Sequence, residues 1–146
     1  MFNGFGVEKS TILNNTNYLY SGATYNPFIT ISHSDGTEVP PVSILELTIS
    51  FFQGSQFGPP PTVLAQFSKT DRTADGFALL PPATQEVKGR IIRTGYRCPI
   101  DSTMSANWPM EGSVYVEVEV KTSSGIFPDG AVTVSRQYFG ELRTRN

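Results

Sequence analysis

Hydrophobic and polar positions alternate most regularly between Gly112 and Lys121, where the chain reads GSVYVEVEVK. A valine recurs at every second position, and the residues between the valines are Tyr115, Glu117 and Glu119. Successive side chains of a β-strand point to opposite faces, so only a strand gathers these valines on one surface. We therefore predict a central strand with one buried face and one wet face.

A second stretch, Ile44 to Phe52 (ILELTISFF), alternates in the same way and is the expected neighbour of the central strand. The predicted buried face comprises Leu45, Leu47, Ile49 and Phe51. The predicted polar face comprises Glu46, Thr48 and Ser50. A tight Asp35-Gly36 turn and the Pro40-Pro41 pair mark the boundary before this strand.

Shorter alternating runs predict further strands, separated by glycine, proline and Asp-Gly punctuation. They are Val7–Leu13, Phe28–Ser32, Val63–Phe67, Phe77–Leu80, Val87–Gly95 and Ala131–Gln137, the last with Val132 and Val134 inward. Trp108 is expected to cover one end of the core. No amphipathic helix of useful length is present, so we predict an all-β fold, an antiparallel β-sandwich, with a small β-barrel or jelly roll as the alternative.

The domain organisation follows from the ends of the chain and one loop. Residues 1–6 (MFNGFG) predict a flexible N-terminal arm, residues 7–140 a single β-sandwich domain, and residues 141–146 a basic C-terminal tail. Gln53 to Thr62 contains three consecutive prolines and predicts an exposed loop with a stiff polyproline end. A chain of 146 residues buries enough apolar surface for one core without metal or disulfide staples.

Composition narrows the function classes. The net charge of −2 provides no basic field for nucleic acid or anionic lipid, and no run approaches the roughly 18 apolar residues of a membrane span. We therefore expect no membrane partner and no specific nucleic-acid partner. Cys98 is the single cysteine, which excludes an internal disulfide and fits a reducing cytoplasm or a particle assembled there. The first residues lack the basic start and apolar core of a signal peptide.

Candidate catalytic groups have ordinary explanations. Glu117 and Glu119 resemble a glycosidase carboxylate pair, but they alternate with polar neighbours on a face expected to be wet. The DRTADG stretch at Asp71 imitates a calcium loop but has no glutamate at the twelfth position, where Pro82 stands. His33 has no second histidine, and Cys98 is expected to be a buried, inert thiol. We therefore expect no catalytic, cofactor or metal site, and no enzyme.

Carbohydrate binding remains an alternative function. Tyr18, Tyr20 and Tyr25 with Phe28 offer aromatic rings on which sugars could stack, although strand spacing puts half of them in the core. The basic positions Lys88, Arg90, Arg93 and Arg97 have little interleaved aromatic surface for single-stranded nucleic acid.

The last third of the chain contains Trp108-Pro109, Glu111-Gly112, the strand VYVEVEV, a Ser-Gly turn, and Gly130 leading into AVTVSRQ. This series of motifs resembles the immunoglobulin-like domains of bacteriophage virion proteins, including the N-terminal domains of baseplate upper proteins. It implies an immunoglobulin-like sandwich that serves as a structural module on a phage particle. It covers about forty residues, and its motifs are shared with many sandwich hairpins.

The expected function is that of a virion structural protein, a head decoration or cement protein that clamps capsid subunits. A tail, baseplate or neck accessory protein is the alternative location. The expected partners are capsid or other virion proteins, with a homo-oligomer formed through edge strands, arm insertion and apolar patches. The expected protein-interface residues are Phe2, Phe5, Phe57, Pro59, Pro60, Pro61, Arg143 and Arg145.

Overall fold

The computed structural model describes residues 2–8, 18–33, 36–54 and 62–144, the first of these segments through its backbone. It contains ten strands and one short α-helix within these segments. Their bounds are β1 Phe2–Glu8, β2 Tyr18–Leu19, β3 Phe28–His33, β4 Ile44–Gln53, β5 Thr62–Ser68, β6 Ala78–Leu79, β7 Pro82–Val87, β8 Arg90–Arg97, α1 Ser102–Ser105, β9 Gly112–Thr122 and β10 Ala131–Leu142. Short 3-10 turns lie at Pro41–Ser43 and Thr73–Asp75.

The strands form two sheets. One has four strands in the order β1-β3-β8-β7, and the other has six in the order β2-β10-β9-β4-β5-β6. The all-β prediction is confirmed. The prediction of purely antiparallel pairing is wrong for the six-stranded sheet, because β2 runs parallel to β10 and β6 runs parallel to β5. These two short strands are joined to the sheet by connections that are not tight hairpins, so they are free to pair in either direction.

The predicted partnership between the two longest alternating stretches is confirmed. β4 and β9 are antiparallel, with Leu47 opposite Val120, Ile49 opposite Val118 and Phe51 opposite Val116. Every one of these side chains is at most 1% exposed. The core continues across to the second sheet through Ile29, Ile31 and Tyr96 and includes Phe67 and Phe139. Burial of facing apolar surfaces is thus the main force that joins the sheets.

Leu45 does not lie in the core as predicted. The register of β4 against β9 shifts between Ile44 and Glu46, which marks a β-bulge. As a result Ile44 is buried and Leu45 is 49% exposed. A bulge adds one residue to one strand, so the alternation that holds from Leu47 onward fails before it.

The prediction that Val132 and Val134 point inward is also wrong. In the ladder between β9 and β10, Val132 is opposite Lys121 and Val134 is opposite Glu119. Residues directly opposite each other in an antiparallel pair share a face, so both valines lie on the outer face with the charged residues of β9. Both are more than half exposed.

The four-stranded sheet contains a hairpin that the sequence did not reveal. The predicted strand Val87–Gly95 begins instead at Arg90, because Lys88 and Gly89 form the two-residue turn between β7 and β8. Both turn residues have positive φ, 53° and 79°, as the tight turns of twisted hairpins require. Pro82 begins β7, which is an edge strand of the sheet. Proline has no backbone N–H, and an edge strand tolerates this because one of its sides has no neighbouring strand to which it must donate.

The flexible-arm prediction for residues 1–6 is wrong from Phe2 onward. Phe2–Glu8 forms β1, whose register runs from Phe2 opposite His33 to Glu8 opposite Phe28. Backbone hydrogen bonding to β3 orders this glycine-containing segment, which has too little local preference to form an element alone. At the other end, Leu142 is buried and paired with β2, so the sandwich extends past the predicted boundary at residue 140.

Trp108 covers one end of the core, as predicted. It is 6% exposed, its ring stacks on Tyr25 at 6.1 Å between centroids, and its indole N–H donates to the Leu64 carbonyl at 3.3 Å. The preceding helix α1 begins at Ser102, and the carboxylate of Asp101 just before it accepts from the Met104 N–H at 2.8 Å. That contact caps the helix and fixes the approach of the chain to Trp108.

Candidate functional site

The outer face of the six-stranded sheet carries the side chains that are available to partners. Because β4, β9 and β10 are in register, these side chains form rows across the three strands. The rows run from the end at Ile44, Thr122 and Ala131 to the end at Gln53, Val114 and Gly140. The two ends differ in chemistry.

Exposed apolar side chains are concentrated at the first end. We call this set the hairpin-end patch, since it surrounds the connection between β9 and β10. The most exposed members are Val42 at 91% and Ile126 at 83%, and the other four are between 49% and 57% exposed. The patch consists of Val42, Leu45, Ile126, Phe127, Val132 and Val134.

The β9–β10 connection is ordered by hydrogen bonds of its own. The Ser124 hydroxyl oxygen accepts from the N–H groups of Ile126 at 3.0 Å and Phe127 at 3.1 Å. The N–H of Gly130 then donates to the Phe127 carbonyl at 2.9 Å. Gly130 has φ of 99°, and a Cβ on it would lie 2.9 Å from the Thr122 carbonyl oxygen. These contacts hold the two exposed apolar side chains in a defined place.

The Val42 and Leu45 side of the patch is held by Lys69. Its ammonium donates to the Pro41 carbonyl at 2.8 Å and also to the Ile44 carbonyl. These contacts satisfy carbonyls of the 3-10 turn that presents Val42. The positive charge of Lys69 is therefore committed to the support of the patch.

Glu46 anchors the beginning of β4 from the adjacent position. Its Oε1 accepts from the Leu47 N–H at 2.9 Å and the Ser68 hydroxyl at 3.2 Å, and its Oε2 accepts from the Thr70 hydroxyl. Partial burial alone would raise the pKa of Glu46, but hydrogen bonds, first of all that from Thr70, together outweigh it and lower the pKa below its usual value of 4.5. The carboxylate is therefore charged in the folded protein at neutral pH.

The middle of the face is occupied by an ion pair. Arg136 donates from Nε to Glu117 Oε1 at 2.8 Å, and its guanidinium lies 4.9 Å from the centre of the Phe52 ring. Glu117 is thus paired, and Glu119 is exposed at the next outward position. The pairing of Glu117 and the exposure of Glu119 differ from the unpaired, desolvated carboxyl that a glycosidase acid requires. The face as a whole is mixed and not polar as predicted, because it also carries Val132, Val134 and the Phe52 ring.

Aromatic rings form the next row. Phe52 stacks on Tyr115 with 6.1 Å between centroids, and Tyr115 meets Tyr138 edge to face at 5.8 Å. The Tyr138 hydroxyl donates to Glu141 Oε1 at 3.1 Å. Desolvation and the neighbouring Glu141 carboxylate raise the pKa of Tyr138, so it is a neutral hydrogen-bond donor at physiological pH.

A groove of about 660 Å³ lies beside this aromatic row, at the second end of the sheet. Its lining includes Gln53, Glu111, Glu141 and Arg143. The Arg143 guanidinium lies 4.5 Å from the centre of the Tyr18 ring. Carboxylate, amide and guanidinium groups around one concavity can bind a polar ligand.

The predicted interface residues that the structure describes belong to different elements of the fold. Arg143 lines the groove and is exposed, and Phe2 and Phe5 belong to β1 on the other sheet. Phe57, Pro59, Pro60, Pro61 and Arg145 lie outside the described residues, as does most of the predicted strand Val7–Leu13.

The aromatic platform predicted for carbohydrate does not form. Phe28 is fully buried, Tyr25 stacks on Trp108, and the Tyr25 hydroxyl accepts from the Tyr20 N–H at 2.8 Å. Only Tyr18 among the four is well exposed, at 43%. Strand spacing was expected to put half of these side chains in the core, and the turn at Ser21 and Gly22 further separates the surroundings of those before it from those after it.

The stretch at Asp71 is a turn. Asp71 Oδ1 accepts from both the N–H and the hydroxyl of Thr73, and Gly76 ends the turn with φ of 88°. Within the described segments, histidine, cysteine and acidic side chains form no group that could hold a metal ion. In the same part of the chain, no helix has the length and hydropathy needed to cross a bilayer.

Sequence reasoning missed both the hairpin-end patch and the groove. Ile126 and Phe127 lie in a loop between turn residues, and two adjacent apolar residues in such a loop are a signal that could have indicated a contact surface. The groove has no such local signal, since its lining comes from β4, β9, β10 and the segments flanking them.

In comparisons with protein-family models, with curated proteins and with solved structures, nothing matches this chain.

Proposed function

We propose that this protein is a non-enzymatic structural module that binds other proteins through the hairpin-end patch, and that it serves in a bacteriophage particle as a head decoration or cement protein. The observation that carries the protein-binding role is the concentration of six exposed apolar side chains at one end of one sheet. A group of large exposed apolar side chains among polar neighbours is typical of an interaction site.

Hydrogen bonds around the hairpin-end patch indicate that this surface is already ordered before a partner binds. Ser124 orders the loop of Ile126 and Phe127, and Lys69 holds the turn of Val42. Side chains held in place lose little conformational entropy when a partner covers them, and this improves affinity. Burial of apolar side chains that are now half exposed or more would supply the driving force at about 25 cal/mol per Å².

The order of the strands supports the immunoglobulin-like interpretation on which the phage assignment rests. The four-stranded sheet has the order β1-β3-β8-β7, and in the other sheet β5 and β6 extend the row β10-β9-β4, an order that corresponds to the ABED sheet and the extended GFC sheet of variable-type domains. The inter-sheet disulfide of antibody domains is absent, because the chain has one cysteine. The narrower location on a phage head comes from the sequence resemblance.

The test has two parts. Mass spectrometry of phage particles purified from the host is expected to detect this protein as a stoichiometric component. The recombinant chain is then expected to rebind stripped particles, and Phe127→Asp combined with Val132→Asp is expected to weaken rebinding at least tenfold. Absence of the protein from purified particles would refute the virion role.

A matched control uses another exposed apolar residue on the other sheet. Ile91 in β8 is 62% exposed, and Ile91→Asp places an aspartate away from the patch, to be compared with Phe127→Asp and Val132→Asp made singly as well as together. Rebinding that survives in Ile91→Asp and fails in the double variant supports the patch as the contact. Equal losses in both would show that surface charge matters and the patch does not.

A further inference from the structure

We infer that the groove at the Gly112 end of the six-stranded sheet is a binding site for a neutral oligosaccharide. It lies at the opposite end of the sheet from the hairpin-end patch and does not depend on the function proposed above. Its volume of about 660 Å³ is within the roughly 300–1,000 Å³ of small-ligand sites. A short chain of sugar rings fits a space of that size.

The floor of the groove is built by a close contact between Gln53 and Gly112. The Gln53 amide donates from Nε2 to the Glu111 carbonyl at 2.8 Å, and its path crosses Gly112. A Cβ on Gly112 would lie 2.3 Å from Gln53 Nε2, and Gly112 has φ of 125°. Glycine at this position therefore allows the amide to lie across the backbone, with its Oε1 left as an acceptor.

A β-bulge places Tyr138 beside Glu141, which lines the groove. The register of β10 against β9 shifts between Tyr138 and Gly140, and the Tyr138 hydroxyl donates to Glu141 Oε1. The Ser113 hydroxyl donates to the same oxygen at 2.8 Å. Both contacts use Oε1, so the other oxygen of this firmly held carboxylate is left as an acceptor for a ligand.

The charge of the groove selects the ligand class. Glu111 and Glu141 contribute two negative charges and Arg143 contributes one positive charge, so the lining repels polyanions and does not favour nucleic acid or phosphate. Sugar hydroxyls both donate and accept, and neighbouring hydroxyls match a carboxylate on one side and a guanidinium on the other. Tyr138 and Tyr18 lie beside the groove, since each contacts a lining residue, Glu141 and Arg143 respectively. Each side chain is 43% exposed and offers an aromatic edge to a sugar that extends past the lining.

A glycan array that includes neutral hexose and N-acetylhexosamine oligosaccharides tests the inference. The full chain is expected to retain neutral glycans, and saturation-transfer NMR with the best of them is expected to show ring protons in contact with tyrosine protons. Retention of no glycan, or of sulfated and sialylated glycans alone, would overturn the assignment.

Two substitutions test the site itself. Glu141→Gln keeps an acceptor for Ser113 and Tyr138 but replaces the free oxygen, and Arg143→Ala removes the guanidinium. Each is expected to weaken the dissociation constant for the retained glycan at least tenfold, with an unchanged circular dichroism spectrum. Glu119→Gln, an exposed acid on the same sheet face outside the groove, is expected to leave it unchanged. Affinity that is unaffected by both groove substitutions would overturn the assignment.

Discussion

Arg136 and Glu117 form a 2.8 Å ion pair between neighbouring strands, with side chains only 17% and 21% exposed. The pair separates the hairpin-end patch from the aromatic row, and Arg136 also covers the Phe52 ring. We expect a double-mutant cycle with Arg136→Ala and Glu117→Ala to give a coupling energy of about 1 kcal/mol, because partial burial reduces solvent screening.

The same cycle on Arg72 and Asp75 provides the matched control. These side chains are 3.5 Å apart and 40% and 64% exposed. We expect a coupling of about 0.3 kcal/mol there, as for exposed helical-spacing pairs. Equal couplings from urea denaturation of the two pairs would contradict the role assigned to burial.

Gly95 is required by the close approach of β8 to β3. A Cβ at this position would lie 2.3 Å from the Ile29 carbonyl oxygen, so Gly95→Ala must push the two strands apart. We expect a loss of about 2–3 kcal/mol in the free energy of unfolding, typical of overpacking in a core. Gly125→Ala is the control, since a Cβ there meets nothing within 4 Å. Urea titrations that give equal stabilities for both variants would contradict this explanation.

Acid is expected to weaken the protein partly through Glu46. Its pKa in the folded state lies below the usual 4.5, so its charged form contributes stability above that value and loses it as the pH falls through the folded pKa. Glu46→Gln is expected to cost about 1 kcal/mol at pH 7, where its hydrogen bonds are weakened. At pH 3 the difference from the native chain is expected to shrink. A deficit independent of pH in urea titrations would show that the charge of Glu46 is irrelevant.

Cys98 is expected to be unreactive in the folded protein. The thiol is fully buried, and desolvation raises its pKa far above the usual range, so almost no thiolate is present at pH 8. A thiol reagent such as DTNB is expected to label it at the rate of unfolding, with full labelling in denaturant. Gly95→Ala, if it destabilises the sheet as expected, should accelerate labelling. Immediate labelling of the native chain would place Cys98 at the surface.

Sequence periodicity predicted the central pair of strands well. The valines of β9 and the apolar positions from Leu47 to Phe51 are all buried, because a period of two on long strands leaves only one way to form a core. The burial of Trp108 and the turns at Gly36 and Gly130 were also predicted from the sequence. A large aromatic ring has few places in a domain other than the core, and glycine is the residue that most easily adopts the positive φ found at both turns.

The outer face could not be predicted in the same way. The alternation in AVTVS, at the start of β10, correctly predicts a strand, but it does not indicate which of the two faces of that strand is buried. The register with β9 decided it, by placing Val132 opposite Lys121 and Val134 opposite Glu119. A shift of one residue in the preceding connection would reverse the result. The bulge before Glu46 exposed Leu45 for a related reason.

The amino-acid sequence by itself determined that this chain is an all-β protein and which strand lies at its centre, because side-chain alternation is a local property of the backbone. Only the tertiary structure decided that apolar side chains gather at one end of the outer sheet face and polar groups surround a groove at the other. Those groupings join residues far apart in the chain, and they depend on strand order, register and bulges, which local patterns do not encode.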